Sequence, residues 1–284
     1  MRLETSVLII SFIISIILGI IIIPILRKLK VGQIERDDGP QSHLKKQGTP
    51  TMGGIIMIIT MIIMVIGLYI YLTISGNIEL ANKIVPILLL TIGFGVIGFI
   101  DDFKKLVLKN TKGLKPSYKM LGLLIISVAY VVYLIYGLKI GTDTYIPILK
   151  QYITIPIFIY IPFAIVVILG TTNAINLTDG IDGLCSSVSS IIITCLTIIG
   201  IRLFAPEISI FGSIVIGATL GFLMFNLHPA KVFMGDTGSL LLRRSNFSNG
   251  IIFKNAYITF SNSFNTSIRN IISNYSSGIF QKDR

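Results

Sequence analysis

Five aspartates stand where apolar runs give way to polar loops. Asp101 and Asp102 lie in F-I-D-D-F-K-K, Asp179 and Asp182 in N-A-I-N-L-T-D-G-I-D-G, and Asp236 in F-M-G-D-T-G-S. Carboxylates at the rim of a hydrophobic slab are costly to hold and usually functional. A few hard oxygen donors suit Mg2+, which binds through one or two carboxylates and completes its shell with phosphate oxygens and water. Lysines crowd the same stretches, and together with Mg2+ they would screen a diphosphate and stabilise the charge of phosphoryl transfer. Adjacent carboxylates such as Asp101 and Asp102 do not both ionise freely without a cation, so one is a candidate base.

Each motif also has a plainer meaning when taken alone. Asp-Asp at a helix end can be a solvated pair, D-G-x-D-G a turn, and G-D-T-G-S a helix N-cap formed by Asp236 or Thr237. The D-G-x-D-G stretch lacks the further ligands of an EF-hand loop. His43 and His228 read as loop histidines, and the lysines between 104 and 119 as topology signals. Gly217 and Gly221 fit small-xxx-small helix packing. What favours one site is that all the acidic motifs fall on one side of a membrane, as follows.

The elements that must position these residues are apolar helices. The chain has 284 residues, 53% hydrophobic and 13% charged, against about 25% charged in soluble domains. Seven stretches are long and apolar enough to cross a bilayer: 6–26, 53–74, 84–100, 120–138, 153–170, 184–201 and 208–225. Pro86 suits the first turn of the third. The expected class is therefore all-α, a polytopic helical membrane protein. The net charge of +11 points to anionic lipid and an anionic substrate rather than nucleic acid, because the basic residues fall in loops between spans. Cys185 and Cys195 share one helix about 15 Å apart, too far to bridge. Leu8–Leu26 is not followed by a small-residue cleavage site, so no cleaved leader is expected.

Basic residues orient the bundle. Six Lys/Arg fall between Arg27 and Lys46 and six between Lys104 and Lys119, whereas the loops after the second, fourth and sixth spans carry one, two and one. The N-terminus is then outside, and Asp101, Asp102, Asp179, Asp182 and Asp236 all face the cytoplasm. A transporter would place ionisable residues within its spans; the seven stretches contain none.

The stretches K-Q-G-T-P-T-M-G-G, F-I-D-D-F-K-K, N-A-I-N-L-T-D-G-I-D-G-L and F-M-G-D-T-G-S resemble, in order and spacing, the cytoplasmic motifs of the MraY family in the polyprenyl-phosphate N-acetylhexosamine-1-phosphate transferase superfamily. The likeness runs over about residues 1–241 and favours MraY over WecA-like relatives. It implies a ten-helix, Mg2+-dependent enzyme of the bacterial inner membrane. Such an enzyme moves phospho-MurNAc-pentapeptide from UDP-MurNAc-pentapeptide to undecaprenyl phosphate, giving lipid I and UMP; a second copy of the chain is a further expected partner. A related transferase taking another UDP-sugar is the alternative. The resemblance assigns catalysis to Asp101, Asp102, Asp179 and Asp236. It places Asn176 and Asp236 at the metal, with Asp236 as the direct ligand. Lys46, Thr51, Asn173, Asp182, Asn226 and Phe233 fall to the substrate.

After Leu242 the likeness stops. The family continues with three helices and a triple-histidine motif, and residues 243–284 contain neither. They hold 15 Asn or Ser in 42 residues, as a shifted reading frame would give. The expectation is a transferase domain over 1–242, a disordered tail over 243–284, and little activity from the chain as written.

Overall fold

The computed structural model describes residues 3–29, 49–106, 113–139, 141–146, 151–174, 182–202 and 204–242. Helices α1 (Leu3–Lys28), α2 (Gly54–Ile74), α3 (Ile78–Leu106) and α4 (Pro116–Val132) come first, and α4 runs on through a π-helical turn, Tyr133–Gly137. A hairpin of β1 (Asp143–Ile146) and β2 (Gln151–Thr154) follows, antiparallel, with Asp143 opposite Thr154. Helices α5 (Ile157–Ala174), α6 (Leu184–Arg202) and α7 (Pro206–Asn226) complete the long elements, and residues 235–242 are helical.

Among the described residues, α1, α2, α3, α6, α7 and α4 with its π-helical turn are long and apolar enough to span a membrane, and Ile157–Leu169 forms a shorter apolar helix. The polytopic helical class therefore holds, with three corrections. Residues 153–154 are strand rather than span, because alternating residues pair them with 143–144 before the helix begins. Helix α3 starts at Ile78, so Pro86 lies inside it rather than in its first turn. At its other end α3 continues to Leu106, which places Asp101 and Asp102 on the helix and not in a loop after it.

Helix α7 is the axis of the bundle. It is buried almost throughout from Ile208 to Phe222 and packs against α1, α6, α2 and α3. The middle of the α1 seam is made of small residues. The buried positions of α1 are Val7, Ser11, Ser15, Gly19, Ile23 and Leu26, one stripe at helical spacing. Ser11 Oγ donates to the Ile214 carbonyl at 2.7 Å and Ser15 Oγ to the Ala218 carbonyl at 2.8 Å. A Cβ on Gly217 would run into the Leu8 carbonyl and lie 2.8 Å from Ser11 Cβ; one on Gly221 would lie 2.8 Å from the Phe12 carbonyl. Close backbone approach is the usual basis of helix association in lipid, where burial of apolar surface drives nothing. We expect Gly217→Val to lower the melting temperature in detergent by several degrees, from overpacking of about 1–3 kcal/mol. Conservative Gly221→Ala should do less, and equal melting of Gly217→Val and the parent would refute the seam.

Two hydrophobic cores flank α3. One joins α1, α2, α3, α6 and α7; the other joins α3, α4 and α5. The helical residues 235–242 wedge between them, with Leu240 in the second core and Leu241 and Leu242 in the first. That wedge carries Asp236 to the end of α3.

Candidate active site

The backbone of residues 50–54 pairs with that of 233–234. Phe233 N–H donates to the Pro50 carbonyl at 2.8 Å, Gly53 N–H to Phe233 at 2.8 Å and Gly54 N–H to Met234 at 3.0 Å. Met52 is buried with φ 69°, and Gly235 turns the chain with φ 72°. Positive φ is costly for methionine and natural for glycine. A Cβ at Gly235 would lie 2.6 Å from Asp102 Oδ2 and 3.1 Å from Thr51 Oγ1, so only glycine lets the T-P-T-M-G-G and F-M-G-D-T-G-S turns meet at Asp102. The 236–238 segment is held still more tightly. A Cβ on Gly98 of α3 would fall on the Asp236 carbonyl, and one on Gly54 of α2 on the Gly238 backbone.

Asp102 caps the 235–242 helix from α3. Its carboxylate accepts the Asp236 N–H at 3.2 Å, the Thr237 N–H at 2.8 Å and the Thr237 hydroxyl at 2.6 Å. The first amides of a helix lack partners in their own helix, and a carboxylate suits both them and the helix dipole. So the N-cap reading of G-D-T-G-S is right about the place and wrong about the residue: the cap comes from 134 positions away.

Asp101 belongs to a different set. Its Oδ2 pairs with Lys105 Nζ at 3.0 Å and Lys119 Nζ at 2.9 Å; the same two ammonium groups reach Asp236 Oδ2 at 2.8 and 3.0 Å. Its Oδ1 accepts the Leu114 N–H at 2.7 Å. Two carboxylates and two ammonium groups thus form a closed square, with Asp101 4% exposed and Asp236 19%. Asp236 is the carboxylate of the square open to a ligand. Burial alone would raise the Asp236 pKa, but the Lys119 and Lys105 ammonium groups beside it outweigh that and hold this carboxyl below the usual range. Helical spacing puts the side chains of Asp101 and Asp102 about 100° apart, yet both reach Asp236, one through its side chain and one through its backbone.

The two aspartates therefore fail differently when neutralised. Asp102→Asn should lower thermal stability, since it weakens three hydrogen bonds to a buried charge that are worth about 1.5–3 kcal/mol each. Asp101→Asn should also cost stability, since its buried carboxylate pairs with Lys105 and Lys119 and accepts the Leu114 N–H, but it should in addition slow turnover at least tenfold relative to Asp102→Asn at a temperature where both are folded, on the order of 1.4 kcal/mol. Equal, mild losses in both measurements would reduce the pair to a topology feature.

A second polar group lies along the same connection. Asp182 Oδ2 is 3.1 Å from His228 Nδ1 and 3.4 Å from the Ala230 N–H. Ser186 Oγ donates to Asn226 Oδ1 at 3.0 Å, and Asn226 Nδ2 donates to the Val232 carbonyl at 3.0 Å. These bonds shape residues 226–232, which lead directly into Phe233 and Asp236.

Of the residues singled out from sequence, Asp101, Asp102, Asp236 and Thr51 come together, and Asp182, Asn226 and Phe233 lie on or against the same connection. Lys46, Asn176 and Asp179 fall outside the described residues, and Asn173 is described as backbone within α5. The lysines of 104–119, read as topology signals, need correcting: Lys105 and Lys119 are direct partners of the carboxylates. Lys105 stands four residues after Asp101 on one helix face, a spacing that marks an ion pair; Lys119 and Thr237 had no such local signal. His228, read as a loop residue, does engage Asp182.

A buried acid–base square thus lies at one end of a helical bundle of membrane-spanning character, beside a turn-rich loop. The profile of glycosyl transferase family 4 matches residues 84–244. The chain is 46% identical over 235 residues to the phospho-N-acetylmuramoyl-pentapeptide-transferase of Halalkalibacterium halodurans, covering 83% of this chain and 70% of that one. It is 44% identical to that of Acetivibrio thermocellus, covering 83% and 69%, and 47% to that of Clostridium perfringens, covering 83% and 71%. The chain belongs to glycosyl transferase family 4.

Proposed function

We propose that this chain carries the site of a phospho-N-acetylmuramoyl-pentapeptide transferase. The observation that carries the reading is the Asp101–Lys105–Asp236–Lys119 square, at 2.8–3.0 Å throughout, in a chain 44–47% identical to enzymes of that name. Its substrates are UDP-MurNAc-pentapeptide and undecaprenyl phosphate. An oxygen of the acceptor phosphate bonds to the sugar-bearing phosphorus, the bond to the bridging diphosphate oxygen breaks, and UMP leaves with that oxygen. The site faces the cytoplasm, as the basic loops orient it.

The residues present fit Mg2+ as a shared ligand rather than a caged one. Among the described residues no three His, Cys, Asp or Glu side chains are arranged to hold a metal ion, Asp102 is engaged as a helix cap, and both oxygens of Asp101 have donors. Asp236, the most open of the three, would be the direct ligand, with Asn176 and Asp179 near the metal as the family resemblance places them and phosphate oxygens completing its shell. Bound Mg2+ supplies Lewis-acid stabilisation of charge on the diphosphate. The chain's own part is positional. Lys105 and Lys119 set two positive charges where the diphosphate meets Asp236, Asp101 keeps them there, and Asp102 fixes the turn bearing Asp236. Asp182, Asn226 and Phe233 shape the nucleotide side of the site.

The test measures UMP release from UDP-MurNAc-pentapeptide, undecaprenyl phosphate and Mg2+. It uses the purified chain and, beside it, a graft in which 243–284 is replaced by the C-terminal region of the Halalkalibacterium halodurans relative. We expect the graft to be the faster of the two. UMP release that requires both substrates supports the reading; a folded graft that releases none, or that prefers UDP-GlcNAc, overturns it.

A further inference from the structure

Asp101 is the member of the square that a backbone amide also touches, and the segment supplying that amide is a turn built on a glycine at positive φ. Gly113 has φ 61°, a conformation that side chains rarely adopt. A Cβ there would stand 2.5 Å from Asp101 Oδ1 and 2.6 Å from Lys105 Cε. The next residue, Leu114, donates its N–H to Asp101 Oδ1 at 2.7 Å. Two residues further on, Pro116 begins α4, and Lys119, one turn in, reaches Asp101 Oδ2 at 2.9 Å. The turn therefore does two things at once. It holds one oxygen of Asp101 directly, and it starts α4 at the point from which Lys119 meets the other.

We propose that the Gly113–Leu114 turn is a positioning element for the reaction, clamping Asp101 by the Leu114 N–H so that its second oxygen holds Lys105 and Lys119 against Asp236. The inference deepens the transferase reading and rests on it for its kinetic arm. Leu114 acts through its amide, and its side chain has no part in this role. Gly113 is required because any larger residue meets the carboxylate and must also adopt positive φ. Hydrogen bonds to carboxylates from backbone amides are among the stronger ones, which is why a single amide can fix a side chain.

Two measurements test this. The first uses the 284-residue chain in nanodiscs, without substrates, and follows hydrogen exchange resolved to the Leu114 amide. We expect protection in the parent and at least tenfold faster exchange in Asp101→Ala. Equal exchange in the two would overturn the clamp whatever the activity. The second uses the graft and replaces Leu114 by its α-hydroxy analogue through nonsense suppression, which exchanges the N–H for an ester oxygen and adds no atoms. Here kcat should fall at least tenfold with KM for UDP-MurNAc-pentapeptide within twofold and melting little changed. Gly113→Ala should fall at least as far, and D-alanine at 113, which keeps positive φ, should recover most of the loss. A full kcat in the ester variant would overturn the proposal, as would a loss confined to KM or to stability. A parent graft that makes no UMP would remove the transferase reading instead, and Leu114 exchange would then decide the clamp alone.

Discussion

Asp236→Asn in the graft abolishes UMP release, to below about one part in a thousand, while the protein still melts as a folded species. The side chain keeps its size, so the helical residues 235–242 remain wedged between the two cores. What disappears is a charge that faces Lys105 at 2.8 Å and Lys119 at 3.0 Å. With it goes the most open carboxylate of the site. A metal ligand contributes several kcal/mol of charge stabilisation, and a thousandfold loss corresponds to about 4 kcal/mol. The Lys105 and Lys119 ammonium groups keep Asp101, which is why folding should survive. Near-normal turnover at saturating Mg2+ would remove Asp236 from the reaction.

Gly98→Ala is the second large effect, and it works through bulk alone. The added methyl group would occupy the place of the Asp236 carbonyl oxygen and lie 2.9 Å from Thr237 Cα. Both obstacles are backbone, so no rotamer change relieves them. Either α3 or the 236–238 segment must move, and both are pinned, by Asp102 on one side and by Gly54 on the other. Overpacking of this kind costs about 1–3 kcal/mol where neighbours can yield and more where they cannot. We expect a clear fall in melting temperature and, at temperatures where the variant is folded, at least a hundredfold loss of UMP release. Gly67→Ala serves as the control, because nothing lies within 4 Å of a Cβ there. If Gly98→Ala and Gly67→Ala behave alike, the close approach of α3 to the Asp236 loop is not required.

How far the site can be read from the chain alone depends on the length of each contact. Hydropathy marks the long helices because a bilayer demands apolar runs. The acidic clusters stand out because charge is rare in such a chain. Lys105 is nearly as legible, being one helical turn from Asp101. The division of labour between Asp101 and Asp102 is not, since the cap depends on Thr237 arriving from 135 residues away. Pro86 misled the start of α3 because a proline is tolerated inside this helix, and 153–154 read as span because a half-buried strand and a helix share apolar residues.

The serine–glycine seam between α1 and α7 also bears on how the protein is made. Ser11 and Ser15 find their partners 203 residues later in the chain. During synthesis α1 enters the membrane first, and every other helix of the bundle before α7 must follow before Ile214 and Ala218 are available. Until then the Ser11 and Ser15 hydroxyls lack the carbonyls that they bond in the folded bundle. The hydrogen bonds between α1 and α7 can therefore form only once α7 has been synthesised.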